Sequence, residues 1–165
     1  MLYAEGHANA FGVGIADEDI DALIDYINEK LKDLQCKPSY KVDFIFNSSN
    51  FNGNDILEIA HLKHLWGQGV EEPYVIIENL KVTKDNLHLM AADRSPTLKI
   101  ELDNGTSLIK FKSSQEEYDE LCAANKGCFI ITALGRCAEN IWNDNVYPQL
   151  ILEDYEITNE VKYYF

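Results

Sequence analysis

The second half of the chain is divided into short strand-forming segments, and this division constrains the fold more than any other feature of the sequence. Residues 74–82 are rich in Val, Ile and Tyr, and residues 98–102 alternate apolar and polar side chains as a half-buried strand does. Asp103-Asn104-Gly105 follows at once, and these residue types tolerate positive φ. The pattern therefore predicts a β-hairpin over residues 98–111 with a three-residue turn.

A helix and two further strands complete this half of the chain. Residues 114–124 carry acidic side chains in the first turn and apolar ones on one side, and residues 128–137 and 149–157 have the composition of strands. A strand, a hairpin, a helix and two more strands within about 85 residues is the order of a five-stranded OB-fold-like β-barrel, whose helix lies between the third and fourth strands. A small Greek-key sandwich with a helical insertion is the competing prediction.

The first half of the chain indicates a smaller α/β segment. Residues 17–34 repeat apolar positions at three- and four-residue steps, which predicts an amphipathic helix with one buried stripe. Residues 41–46 predict a half-buried strand, and residues 55–65 predict a second helix that starts with an Asp55/Glu58 capping box. The predicted fold class is therefore α+β.

A connector separates the two halves. Gly67, Gly69 and Pro73 break the segment that follows the second predicted helix. We therefore predict one domain over residues 1–73, the β-barrel over residues 74–158, and a tail over residues 159–165.

Composition narrows the function and the compartment. A formal net charge of −14 argues against nucleic-acid binding through bulk electrostatics, so any DNA contact must be local. No apolar run approaches the roughly 20 residues that span a bilayer, and the N-terminal residues lack the basic start and apolar core of a signal peptide. The 4 cysteines show no Cys-x-x-Cys spacing, which favours free thiols. We expect a cytoplasmic protein with no membrane partner.

The sequence contains no phosphate-binding glycine loop, nucleophile elbow or clustered Asp/His run of the kind that a two-metal nuclease needs. His61 and His64 lie three positions apart on the second predicted helix, near enough to share a metal ion. Their spacing indicates no third ligand. A self-contained metallohydrolase built on His7, His61 and His64 is therefore the weakest of the functional hypotheses.

Basic and aromatic side chains fall together on the predicted barrel. Four basic residues lie on or beside its second to fourth strands: Lys99, Lys110, Lys112 and Arg136. Phe111 lies between two of these lysines, and such a pattern suits single-stranded nucleic acid, because rings stack on bases while ammonium groups follow the phosphates. Any soluble barrel also exposes lysines, and Phe111 equally fits a core position.

Trp142 is predicted to lie in the turn between the last two strands, a loop in which OB-folds often contact their ligands. An exposed indole there would be a stacking platform. An indole folded over the barrel mouth would be structural, and the sequence leaves both roles open.

Several short motifs of the chain, taken in order, resemble the C-terminal half of RecJ-type single-strand-specific DNA exonucleases of the DHH/DHHA1 superfamily. The glycine-histidine motif of that family is matched by Gly6, His7, Ala10 and Gly12, and its connector by Gly67, Gly69, Glu72 and Pro73. Its Leu-Lys-Leu-x-Leu strand is matched by Leu98–Leu102, and its closing segment by Asn140, Trp142 and Gln149–Asp154.

The resemblance implies a role for each part of the chain. Residues 1–73 would be a truncated DHHA1-like α/β segment, in which Gly6 and His7 contact a phosphate of the bound strand. The barrel would bind single-stranded DNA through Lys99, Lys110, Phe111, Lys112, Arg136 and Trp142. The catalytic residues and their divalent metal, Mn²⁺ or Mg²⁺, would lie in an N-terminal DHH domain that this chain lacks, so the chain itself would hold no cofactor.

The leading hypothesis is therefore an inactive, single-stranded-DNA-binding portion of an exonuclease of DNA repair and recombination, with a phage-related homologue as its expected source. The alternative is a protein-interaction or scaffolding module without nucleic-acid binding, which the charge of −14 allows.

Overall fold

The computed structural model describes residues 2–7, 10–33, 39–124 and 128–158. The chain divides into two compact units, Met1–Ser39 and Tyr40–Phe165. The predicted tail and the predicted free thiol of Cys36 lie outside the described residues, and the predicted domain boundary at Pro73 stays a prediction. No helix in the described part is both long and apolar enough to cross a membrane.

The first unit contains a two-stranded antiparallel hairpin and a helix. Its elements are β1 (Tyr3–His7), β2 (Ala10–Gly14), a short 3-10 turn (Asp17–Asp19) and α1 (Ile20–Leu31). The predicted apolar stripe lies on α1, but no residue of this helix is buried, and Ile24 is 49% exposed. The prediction of a buried stripe is therefore wrong for this unit, whose small hairpin does not cover the helix.

The described part of the second unit forms a seven-stranded mixed sheet with two α-helices. Its elements are β3 (Val42–Asn47), α2 (Gly53–His61), β4 (Tyr74–Thr83), β5 (Leu87–Met90), β6 (Thr97–Glu101), β7 (Ser107–Lys110), α3 (Gln115–Ala123), β8 (Cys128–Trp142) and β9 (Asn145–Thr158). The strand order is β3-β4-β8-β9-β7-β6-β5, in which β3 pairs with β4 and β7 with β9 in parallel and the other pairs are antiparallel. The α+β class is confirmed.

The hydrogen-bonded sheet differs from the predicted closed five-stranded barrel, because it has seven strands and is open at β3 and β5. The first predicted strand of the barrel ends at Thr83, where a 3-10 turn (Lys84–Asn86) separates β4 from β5. The Asn86 side chain accepts a hydrogen bond from the Thr83 backbone N–H at 2.7 Å and so stabilises this break. β3 then adds to the free side of β4 as an extra strand.

Local capping signals explain where the helices begin. The α2 capping box uses Asn52 and Asp55 rather than the predicted Asp55 and Glu58: the Asp55 carboxylate accepts from the Asn52 N–H at 2.9 Å. The helix ends at His61, and the remaining predicted helical residues form a 3-10 turn (Leu62–Leu65). At α3 the Ser114 hydroxyl accepts from the Glu117 N–H at 3.0 Å, as expected for an N-cap.

The core lies between the inner face of the sheet and α2. Fully buried strand residues include Ile77, Leu98, Leu108, Ile131 and Leu150. Ile56 of α2 packs into the same cluster, so this helix covers part of the sheet. Burial of such apolar side chains supplies most of the driving force for folding.

The last two strands form a long hairpin with a two-residue turn. The predicted strands ended at Cys137 and began again at Gln149, whereas β8 and β9 stay paired as far as Trp142 and Asn145. The turn residues Asn143 and Asp144 have φ values of 49° and 63°. Such a turn matches the twist of the flanking strands, so both strands continue to the tip.

Candidate nucleic-acid interface

The outer face of the sheet carries a continuous cross-strand row of side chains. Directly opposed residues on neighbouring strands share a face, and the register gives the row His88, Lys99, Ile109, Ile151 and Arg136. Lys110 follows Ile109 and is opposed by the buried Leu98, so its side chain leaves the sheet on the other face. The predicted basic strip is thus divided between two faces.

An open groove of about 490 Å³ lies on the outer face, beside the row and toward the tip of the β8–β9 hairpin. Six of the side chains that line it are Lys99, Glu101, Ser107, Asn140, Trp142 and Tyr147. Trp142 is 67% exposed and Tyr147 43% exposed, which supports the stacking-platform interpretation of Trp142 over the structural one. Exposed aromatic rings beside polar groups suit the stacking of unpaired bases.

Four of these six groove residues were not predicted as site residues: Glu101, Ser107, Asn140 and Tyr147. Asn140 and Tyr147 are directly opposed across β8 and β9, on the same face as Trp142. The period-two spacing of Asn140 and Trp142 would have indicated this face if the strand had been predicted to continue beyond Cys137.

Lys99 borders the groove but is engaged by an acidic neighbour. Its ammonium group forms an ion pair with Oε1 of Glu101, two residues along the same strand. Nε2 of His88 lies 3.7 Å from the other oxygen of the same carboxylate. The hydrogen bond from Lys99 lowers the pKa of Glu101, so the carboxylate is charged at neutral pH.

Arg136 lies in a network of acidic side chains instead of extending free toward a ligand. Its guanidinium forms ion pairs with Glu72, at 3.2 Å, and with Glu153. Burial alone would lower the pKa of Arg136, but the two carboxylates raise it. Its Nε atom is buried without a hydrogen-bond partner among the described residues. Arg136 therefore joins the connector to the sheet, and its predicted DNA contact stays a prediction.

Lys110 also has a structural role. Its ammonium group lies 2.5 Å from Oε1 of Glu117 on α3 and 5.4 Å from the centre of the Tyr155 ring. The Tyr155 hydroxyl donates to the same Glu117 oxygen at 2.8 Å. Burial would raise the pKa of Glu117, but these hydrogen bonds, the charge of Lys110 and a hydrogen bond from Ser113 together lower that pKa. Lys110 thus links α3 and β9 through its contacts with Glu117 and Tyr155.

Phe111 and Lys112 lie in the turn that follows β7. Phe111 is 56% exposed, so it is not a core residue, and Lys112 is exposed with a φ of 56°. Neither lines the groove that contains Trp142. They form a separate exposed pair on the path toward α3.

Gly6 and His7 belong to the first unit. They end β1, where they are paired with Phe11 and Ala10 of β2. Gly6 has a φ of 146°, in a region that glycine adopts most readily. The predicted phosphate contact of this pair stays a prediction.

His61 and His64 each have another partner. Nε2 of His61 lies 3.3 Å from a Glu139 oxygen, and Nδ1 of His64 lies 2.9 Å from the His61 carbonyl oxygen. Across the described ranges, no three His, Cys, Asp or Glu side chains form a group that could hold a metal ion.

Comparisons with known proteins find relatives by sequence and by fold. No protein-family model matches the chain. The chain is 27% identical over 156 residues to the putative SPbeta prophage-derived single-strand DNA-specific exonuclease YorK of Bacillus subtilis (strain 168), and equally to the putative single-strand DNA-specific exonuclease of Bacillus phage SPbeta. The match covers 94% of this chain and 27% of each relative, so the chain spans about a quarter of their length.

The fold is similar to that of a solved RecJ structure. RecJ from Thermus thermophilus, crystallised in complex with Mn²⁺, matches 98% of this chain and 22% of its own chain, with a TM-score of 0.59 and 14% identity. The chain is therefore similar in sequence to phage-derived single-strand DNA-specific exonucleases and similar in fold to RecJ.

Proposed function

We propose that this chain is the C-terminal, single-stranded-DNA-binding portion of a RecJ-like exonuclease that acts in DNA repair or recombination. The names of the two sequence relatives support the substrate class, since both are called single-strand DNA-specific exonucleases. The chain spans about a quarter of each, and the proposal therefore assigns cleavage to a DHH domain outside these 165 residues.

The strand order supports an OB-like arrangement for residues 74–158. Only three residues separate β4 and β5 in sequence, yet four other strands lie between them in the sheet, in the order β4-β8-β9-β7-β6-β5. If β4 and β5 are the two halves of one bent strand, this order returns to its starting strand, as in a barrel. α3 lies between β7 and β8, the position of the OB-fold helix.

The observation that carries the proposal is the pair of exposed rings in the outer groove. Trp142 and Tyr147 lie beside Lys99 in one groove, so that bases can stack while an ammonium group meets a phosphate. Stacking of this kind contributes about 1–3 kcal/mol per base and depends little on sequence. Binding that depends on stacking rather than on bulk charge is compatible with a net charge of −14.

The metal is assigned outside this chain. The described residues offer no group of ligands for Mn²⁺ or Mg²⁺, and the solved RecJ structure was determined with Mn²⁺. In this proposal, residues 1–165 bind the DNA strand, and the DHH domain binds the metal and cleaves the strand. His7 and Gly6 keep their proposed phosphate contact at the border of that domain.

A protein-interaction module is the second candidate. The observation in its favour is that Lys99, Lys110 and Arg136 are all paired with carboxylates, which leaves little free positive charge on the sheet.

Fluorescence anisotropy with labelled oligo-dT of about 20 nucleotides, longer than the site of a single OB-fold, separates the two candidates. The proposal predicts binding that weakens with salt and is not competed by duplex DNA of the same length. A chain that binds neither form at low ionic strength would favour the interaction module.

A further inference from the structure

Among the cationic site residues, Lys99 differs in where its acidic partner lies. The partners of Arg136 and Lys110 are partly buried in contacts between elements. Glu101, in contrast, has a side chain that is 51% exposed and lines the same groove as Trp142. Its carboxylate lies on the surface that a nucleic-acid strand would follow.

The carboxylate of Glu101 contacts the basic side chains of the groove in the way that a bound anion would. One oxygen pairs with Lys99 and the other faces His88 at 3.7 Å, so a single planar anion bridges two basic groups on neighbouring strands. A phosphate group offers the same kind of acceptor oxygens to the same two partners.

We infer that Glu101 competes with DNA phosphate for Lys99 and His88, and thereby sets the affinity and salt sensitivity of the groove. This inference rests on the proposed function. A phosphate that enters must displace the carboxylate, so part of the favourable phosphate contact is cancelled. Strands that also stack on Trp142 can still bind, which favours unpaired DNA over ligands that offer only charge.

We expect replacement of Glu101 to leave the fold intact. Its side chain is 51% exposed and lies on the outer face, outside the core cluster, so its ion pair with Lys99 contributes little to stability. Glu101→Gln keeps the shape of the side chain and removes its charge. Glu116→Gln is the matched control, because it removes one charge from an exposed position of α3 that does not line the groove.

The test measures anisotropy of labelled oligo-dT over a range of salt for the wild type and both variants. We expect Glu101→Gln to bind about tenfold more tightly at low salt, with a log–log salt slope steeper by about one, as for one added phosphate contact. Glu116→Gln should change affinity by less than about twofold, since exposed charges remote from the bound strand are screened. Adding Lys99→Gln to Glu101→Gln should abolish the gain.

Each outcome separates the inference from the proposed function. If the wild type binds and Glu101→Gln binds no better than Glu116→Gln, the competition is refuted and the proposed function stands. If the wild type fails to bind while Glu101→Gln binds, the competition is supported and the unmodified chain is not a DNA-binding portion. If neither binds, both ideas are overturned.

Discussion

Trp142 and Asn145 are opposed at the tip of the β8–β9 hairpin, separated only by two residues that both have positive φ. This tight turn keeps β8 and β9 paired to their ends and places the indole beside the groove. The most exposed aromatic side chain of the groove is therefore positioned by backbone geometry rather than by burial.

Trp142→Ala should weaken binding of oligo-dT by about 1–3 kcal/mol, because it removes one stacking surface. It should leave the free energy of unfolding almost unchanged, since the side chain is 67% exposed. Ile141→Ala is the matched control: Ile141 is 63% exposed but lies on the opposite face of the same strand. Equal losses of affinity in the two variants, measured by anisotropy, would argue against the outer groove as the binding site.

Asn143→Val should destabilise the hairpin tip by about 1–2 kcal/mol, because a β-branched residue is strained at a φ of 49°. Affinity for oligo-dT should fall as well, since Trp142 loses its fixed position. Asp144→Gly, at a φ of 63°, relieves the strain at the neighbouring position and should keep both properties. Chemical denaturation and anisotropy on the same samples measure the two effects. A fully stable Asn143→Val variant would contradict the observed turn.

Lys110→Gln should lower the free energy of unfolding at neutral pH by about 1–3 kcal/mol, since it leaves the half-buried Glu117 carboxylate without its cation. Lys112→Gln, in the exposed turn nearby, should have no such effect. Both lysines were predicted from the sequence as DNA contacts. Urea unfolding of the two variants therefore distinguishes a structural lysine from a surface lysine, and equal stabilities would show that the contact with Glu117 contributes nothing.

The same cluster predicts a pH dependence of stability. The pKa of Glu117 is lowered in the folded state from its ordinary value of 4.5, so its contribution is present above that value and is lost as the pH falls through the lowered pKa. Below that range the wild type and Lys110→Gln should converge in stability. Urea unfolding from neutral to acidic pH measures the difference between them, and a difference that persists when Glu117 is protonated would exclude this ion pair as its cause.

Gly135→Ala should destabilise the second unit by about 1–3 kcal/mol, because a Cβ there would lie 2.4 Å from the backbone oxygen of Ile151. Gly135 lies directly after the register shift between β8 and β9 at Leu134 and Gly135. Gly12→Ala is the control, since nothing lies within 4 Å of its added Cβ. Unfolding followed by circular dichroism compares the two, and an unaffected Gly135→Ala variant would show that β8 and β9 separate easily.

Local features of the second half were predictable from the sequence because neighbouring residues determine them. The three-residue turn at Asp103-Asn104-Gly105 is confirmed: Gly105 has a φ of 83°, and the Leu102 N–H donates to the Thr106 carbonyl at 2.9 Å. The α3 cap at Ser114 is likewise local. Such signals depend on turn and cap chemistry that the sequence displays directly.

The roles of the cationic residues were not predictable, because they depend on residues that are distant in sequence. Glu72 lies 64 positions from Arg136, and Tyr155 lies 38 positions from Glu117, the partner of Lys110. Composition and strand alternation identify basic residues on strands but not the carboxylates that neutralise them. The exposed apolar stripe of α1 shows a related limit, since periodicity predicts an amphipathic helix without saying what covers it.

In the proposed complex, unpaired DNA binds in the outer groove against Trp142. The chain has 2 tryptophans, and Trp66→Phe leaves Trp142 as the sole indole. Titration of this variant with oligo-dT, followed by both tryptophan fluorescence and anisotropy, measures whether bases stack on Trp142. We expect quenching of the Trp142 emission that saturates together with the anisotropy signal. Saturable binding by anisotropy with unchanged Trp142 emission would contradict it.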